Sequence, residues 1–249
     1  MGLILSSDIL TASTCTANPA GSASWPATNL ISYKRRPVVR AARSVDISVG
    51  QIWTVDLGSA KAFTHILTLG ANVTSLIYEW STDGSTGWTA LAGSPRTIAQ
   101  NPYSGYYNDI FAESLTKRYL RVRTTNGQAV VSGTQYSIGS LLFINTTVET
   151  DWNQSESSPV RDNTKYFDSG DDIVRAGPFQ FIYEWSTVYD STNAAKILQI
   201  MRDGRDRPIV VWDKSYGSQY VMLARPHTSV THSRKSITID SSLSWREMV

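Results

Sequence analysis

Apolar and polar residues alternate along much of the first half of the chain. Ile52-Trp53-Thr54-Val55-Asp56-Leu57 follows this pattern and stops at Gly58-Ser59, which predicts a half-buried strand closed by a turn. Residues 63–69 repeat it. Residues 76–81 alternate again and end in Thr82-Asp83-Gly84-Ser85, where Asp-Gly supplies the positive φ of a tight turn. In Arg118-Tyr119-Leu120-Arg121-Val122-Arg123, Leu120 and Val122 share the core face, and Tyr119, Arg121 and Arg123 form a cationic outer face. Short strands separated by Gly, Pro, Asn and Asp predict a β-sandwich or jelly roll over residues 1–147.

Residues 148–165 are mostly polar and read as a linker, which places a domain boundary there. The charge balance shifts at the same point. Residues 1–147 hold 11 basic and 7 acidic groups, and residues 148–249 hold 12 and 14. In Thr192-Asn193-Ala194-Ala195-Lys196-Ile197-Leu198-Gln199-Ile200-Met201-Arg202-Asp203 the apolar positions follow the helical period. Ser191, Thr192 or Asn193 can cap this helix (192–203) and Gly204 ends it. Residues 180–186, 208–213, 220–223 and 236–240 read as strands. A second domain over 166–249 is therefore expected to be a smaller β-sandwich carrying one α-helix. The hexapeptide at 77–82 recurs at 182–187 without extending further, which suggests two strands of one kind rather than a duplicated domain.

Twenty-three basic against 21 acidic residues is too even for a chain that neutralises a phosphate backbone, so no nucleic-acid partner is expected. The apolar runs fall far short of the roughly 20 residues needed to span a bilayer, so no membrane insertion is expected. The N-terminus lacks a basic n-region and the apolar run of about seven or more residues that a secretory signal needs. Either the chain is made and used without that export route, or a signal has been removed. The single Cys15 leaves core packing rather than a disulfide to hold the fold, and it reads as a buried thiol. Eight Trp and 12 Tyr against 6 Phe favour half-buried β surfaces and contact faces.

The sequence holds no G-x-S-x-G, Walker A loop, G-x-G-x-x-G before a helix, H-E-x-x-H or C-x-x-C. Of three histidines, His65 lies within a strand, and His227 and His232 fall on opposite faces if extended. Asp168-Ser169-Gly170-Asp171-Asp172 and Asp203-Gly204-Arg205-Asp206 could supply paired carboxylates, but both have turn composition. No enzyme activity, metal or cofactor is expected. The main electrostatic feature is Lys34, Arg35, Arg36, Arg40 and Arg43, five cations in ten residues with Trp25 and Tyr33 close in sequence. This segment suits an anionic glycan, a lipopolysaccharide phosphate or an acidic partner surface, or is a solvated loop. Tyr103, Tyr106 and Tyr107 in a turn-rich stretch suit low-entropy contacts with sugar or protein, or pack on the sandwich rim. The sequons at Asn72, Asn145 and Asn153 carry no weight without an export signal.

Four segments together resemble a discoidin, or coagulation-factor type C, domain of the galactose-binding jelly-roll superfamily. They are Pro26-Ala27-Thr28-Asn29-Leu30, Trp53-Thr54-Val55-Asp56-Leu57-Gly58 with Lys61-Ala62, Tyr78-Glu79-Trp80-Ser81-Thr82-Asp83-Gly84 with Trp88, and Arg118-Tyr119-Leu120-Arg121-Val122. The resemblance implies a jelly roll whose ligands bind loops at one end, where residues 25–43 fall. The family's Asp-Gly is replaced here by Ser32-Tyr33, a departure at the loop where the family often holds calcium, which leaves that site open. The second half is similar in plan to bacteriophage minor tail and tail-tip proteins, through the helix at 194–201, Gly204, Pro208, Ile209-Val210-Val211-Trp212-Asp213 and Ser244-Trp245-Arg246-Glu247. That likeness implies a non-enzymatic structural protein of a phage tail, made in the bacterial cytoplasm and localised in the virion. Its partners would be other tail proteins, copies of itself in a symmetric assembly, and a host-surface glycan. The alternative is a free, lectin-like carbohydrate-binding protein. A glycan-processing enzyme with a binding module is a third reading.

Overall fold

A computed structural model describes residues 2–7, 9–31, 41–101, 105–145, 147–152, 160–162, 180–204, 206–214, 217–226, 231–235 and 238–247. The protein is mainly β, with a jelly-roll sandwich in the first half and a second antiparallel sheet carrying one α-helix.

The sandwich is organised by two long strands, Ile52–Ala71 and Tyr107–Arg123, which pair antiparallel along most of their length. Ser140–Ile144 and Thr14–Asn18 join the first of them, and Ser75–Ser81 joins the second. The alternation predicted from sequence orders the core. Trp53, Val55 and Leu57 are buried between half-buried Ile52, Thr54 and Asp56, and they pack with Phe63, Leu76, Tyr78, Leu120, Val122 and Phe143. Gly84 takes the expected positive φ of 77°, and the Asp83 carboxylate accepts the amides of Ser85 and Thr86.

The turn expected at Gly58-Ser59 is a correction. Residues 52–71 form one strand, and this stretch is a bulge within it. The register moves from Asp56 opposite Tyr119 to Lys61 opposite Lys117, so the first strand carries extra residues. Gly58 makes this possible with φ 79°, and its N–H donates to Asp56 Oδ1 at 2.7 Å.

The second sheet takes in chain from both ends of the sequence. Gly2–Ser6 lies between Val148–Trp152 and Ile209–Asp213. Ile4 and Leu5 are buried, as suits a short apolar run in a strand paired on both edges. Val148–Trp152 and Val160–Asp162 are strands within the stretch expected as a linker. From Ile209–Asp213 the sheet continues through Met222–Pro226 to Thr238–Glu247, which pairs with Gln180–Asp190. Gln180–Asp190 pairs in turn with Val148–Trp152, so six strands form a closed circuit. Val160–Asp162 and Thr231–Lys235 lie outside this circuit, pairing with Gln180–Asp190 and Thr238–Glu247 respectively. The repeated hexapeptide is strand over 77–81 in its first copy, within Ser75–Ser81, and throughout its second, within Gln180–Asp190.

The helix Ser191–Asp203 matches its expected limits within a residue and lies against four strands of the circuit. It buries Ile197, Ile200 and Met201, and Gly204 closes it by donating to the Ile200 carbonyl at 2.9 Å. Ile9, Leu67, Leu69, Ile110, Leu142 and Ile144 of the first half form one apolar cluster with Val210, Val221 and Leu223 of the second. The two halves therefore share a core.

Candidate functional site

The loops at one end of the sandwich enclose an open cleft of about 130 Å³ lined by Arg43, Gly70, Asn72, Tyr106, residues 132–135 and Ser137. Four separate stretches of chain line it: Arg43, residues 70–72, Tyr106 and the loop at 132–137. Ala42–Arg43 is a two-residue strand paired with Ser137–Ile138. The turn before it grips Arg43: Ser22 N–H donates to the Arg43 carbonyl at 2.9 Å, and Arg43 N–H donates to the Trp25 carbonyl at 3.1 Å. Gly21 is required for this approach, since a Cβ there would stand 2.7 Å from the Arg43 carbonyl oxygen. The Arg43 guanidinium lies 3.9 Å from the centre of the Trp25 ring, a cation–π contact that holds the planar fork in one orientation. Its Nε–H is buried and has no hydrogen-bond acceptor among the described residues.

The second wall is the loop at 132–137, and Asn72 holds it. This buried side chain donates to the carbonyls of Ser132 (2.9 Å) and Gln135 (2.8 Å) and accepts from Ser137 N–H (2.8 Å). Asn72 is thus spent on structure and is no glycosylation acceptor. Within this loop, between the lining residues Gln135 and Ser137, Tyr136 is fully buried, its hydroxyl within reach of the carbonyls of Ile47 and Thr125. Gln135 also donates to the Val45 carbonyl at 3.1 Å.

Tyr106 forms the third wall. Its neighbour Tyr107 begins the strand Tyr107–Arg123 and packs on the sandwich core. Hydrogen bonds tie this wall to the second half. Asn108 accepts the Gly70 N–H (2.8 Å) and donates to the Val221 carbonyl (3.4 Å), and Asn101 donates to the Gln219 carbonyl (3.0 Å).

Of the residues singled out from sequence, the structure brings together Trp25, Arg43 and Tyr106. Tyr33, Lys34, Arg35, Arg36, Arg40 and Tyr103 lie outside the described residues, as do His227 and the carboxylates at 168–172. Sequence reasoning missed Gly70, Asn72 and the 132–137 loop. Its Ser-Gly-Thr-Gln composition signals a loop, but nothing local shows that Asn72 binds it from some 60 residues away.

The remaining titratable candidates have structural surroundings. Asp203 accepts from Ser7 Oγ, Gln199 and Arg207, fastening the helix end to the N-terminal segment. His65 is half-buried with its ring edge-on to Trp212, and burial and the Lys214 charge hold its pKa below the usual imidazole range. Burial pushes the Cys15 thiol up to about 12. Among the described residues no group of three or more His, Cys, Asp or Glu is placed to hold a metal ion.

No protein-family model matches the chain, and no curated protein matches it. Among solved structures, the chain is similar in part to chitosan-binding module 1 of a chitosanase/glucanase from Paenibacillus sp. IK-5, at 20% identity over 55% of this chain and 96% of that one, with a TM-score of 0.41. It is also similar to the CBM32-3 module of a family 31 glycoside hydrolase from Clostridium perfringens (16% identity, 55% and 95% covered, TM-score 0.43). A third is the family 32 carbohydrate-binding module of C. perfringens NanJ in complex with galactose (17%, 55% and 97%, 0.41). Likenesses this distant assign no ligand to the cleft.

Proposed function

We propose that this protein is a non-catalytic saccharide-binding protein and that the cleft beside Arg43 is its binding site. The observation that carries the reading is a preformed polar cleft on loops held by a rigid sandwich, with one aromatic wall and one oriented cation. Hydroxyl and amide groups of Ser132, Thr134 and Gln135 suit a ligand rich in hydroxyls, and the Tyr106 ring suits the apolar face of a sugar. Asn72 fixes the loop before any ligand arrives, which lowers the ordering cost of binding. Of the two main readings of the sequence, these features support the carbohydrate-binding one. Nothing in the described residues favours a virion role over it.

The test is an oligosaccharide array probed with the full chain and with Tyr106→Ala and Thr134→Ala. Retention of a defined set of saccharides, weakened in both variants at unchanged melting temperature, supports the reading. Absence of binding to any saccharide, or binding indifferent to both substitutions, refutes it.

A further inference from the structure

We infer that the cleft selects an anionic saccharide, one bearing carboxylate or sulfate, and that Arg43 receives the charged substituent. The inference rests on the saccharide-binding reading above and adds the ligand's chemical class. Five arginines of the first half are described, and four are neutralised within the fold. Arg96 holds Asp109 and Arg118 holds Asp56, each through two nitrogens, and Arg121 and Arg123 share Glu79. Arg43 is the exception: no carboxylate among the described residues pairs with it. Among the described residues it is also the only charged one lining the cleft, whose other described members are neutral.

A guanidinium with no carboxylate partner among the described residues, held over the Trp25 ring, keeps its charge uncompensated and its fork positioned, which suits bidentate recognition of an oxyanion. Lys117 over Trp80 has no carboxylate partner among the described residues but carries no planar fork, and the other arginines on aromatic rings are neutralised, Arg96 over Phe111 by Asp109. Arg121 lies over Trp88 but is bound by Glu79, and Arg118 lies over Tyr119 but is bound by Asp56. A neutral saccharide would leave the Arg43 charge unused and gain only the hydroxyl contacts of the rim.

The experiment uses the full chain on an array carrying uronic-acid, sulfated and neutral oligosaccharides of several backbones. Calorimetry on the retained compounds follows at low and at physiological salt. Retained compounds are expected to carry carboxylate or sulfate, and the two arms tell which. Their affinity should fall with added salt. Arg43→Gln should weaken binding about tenfold or more, as expected for loss of a charge-assisted hydrogen bond. Arg43→Lys, which keeps the charge without the fork, should fall between. The salt dependence of the unmodified protein keeps the test valid should Arg43→Gln disturb the Trp25 turn. Equal retention of neutral compounds with no salt dependence overturns this inference and leaves the saccharide-binding reading standing. No retention of any saccharide overturns both.

Discussion

Leu223→Ala tests whether the two halves of the protein form one cooperative unit. Leu223 is 2% exposed, and it packs in the cluster that Leu67, Leu69, Ile110, Leu142 and Ile144 supply from the sandwich. Truncating a buried leucine costs about 2–5 kcal/mol, the lost transfer energy plus the cavity. For a chain of this length that lowers the melting temperature by roughly 5–15 °C. The cluster also says how the loss is distributed. A sandwich standing alone would expose those five aliphatic side chains, at about 2 kcal/mol each. That sum is comparable with the 5–15 kcal/mol or so that stabilises a whole domain. Scanning calorimetry should therefore show a single transition, shifted alike by Leu223→Ala in the second half and Leu67→Ala in the first. Two separated transitions, with Leu223→Ala moving only one of them, would refute the shared core.

Glu79 is buried, which alone would raise its pKa, but hydrogen bonds and charge from Arg121 and Arg123 outweigh this and hold it below the usual carboxylate range. Its stabilising contribution is thus present above the unfolded-state pKa and is lost as pH falls through the lower folded value. Glu79→Gln should cost about 1–3 kcal/mol near neutrality and flatten the acid limb of urea midpoints measured from neutral pH downward. Asn72→Ala removes three hydrogen bonds and leaves three backbone groups without partners, so it should destabilise by about 2–3 kcal/mol and weaken saccharide binding. Equilibrium unfolding and calorimetry check both effects. Gly21→Ala should displace the Arg43 backbone, weaken binding and also lower the melting point, since the added Cβ meets a backbone carbonyl at 2.7 Å, as calorimetry and thermal unfolding can show. Cys15 should resist a thiol reagent in the native protein and react on unfolding in urea, because it is buried and its pKa is raised to about 12.

Local pattern made much of the sandwich legible. Period-two alternation placed Trp53, Val55 and Leu57 inside and Arg121 and Arg123 outside, and helical periodicity found the helix Ser191–Asp203 within a residue. What stayed hidden depends on pairing between distant residues. Leu3, Ile4 and Leu5 read as an apolar stretch near the N-terminus, but nothing local says that Asp213, Trp212 and Val211 lie opposite them. Gly58 has the composition of a turn, and only the register against Tyr119 and Lys117 makes it a bulge. The site divides in the same way. Trp25, Arg43 and Tyr106 stood out by residue type. Asn72 did not, because its role lies in hydrogen bonds to residues 132–137 that no spacing rule reveals.

The central claim is that the cleft beside Arg43 binds saccharide, and a backbone-amide NMR titration of the full chain with an array-selected oligosaccharide tests it most directly. The account predicts saturable shifts at Arg43, Gly70, Tyr106 and the 132–137 loop, with little change on the sheet face around Glu79 and Arg121. Shifts confined to that sheet face or to the second half, or none at saturating ligand, would contradict it.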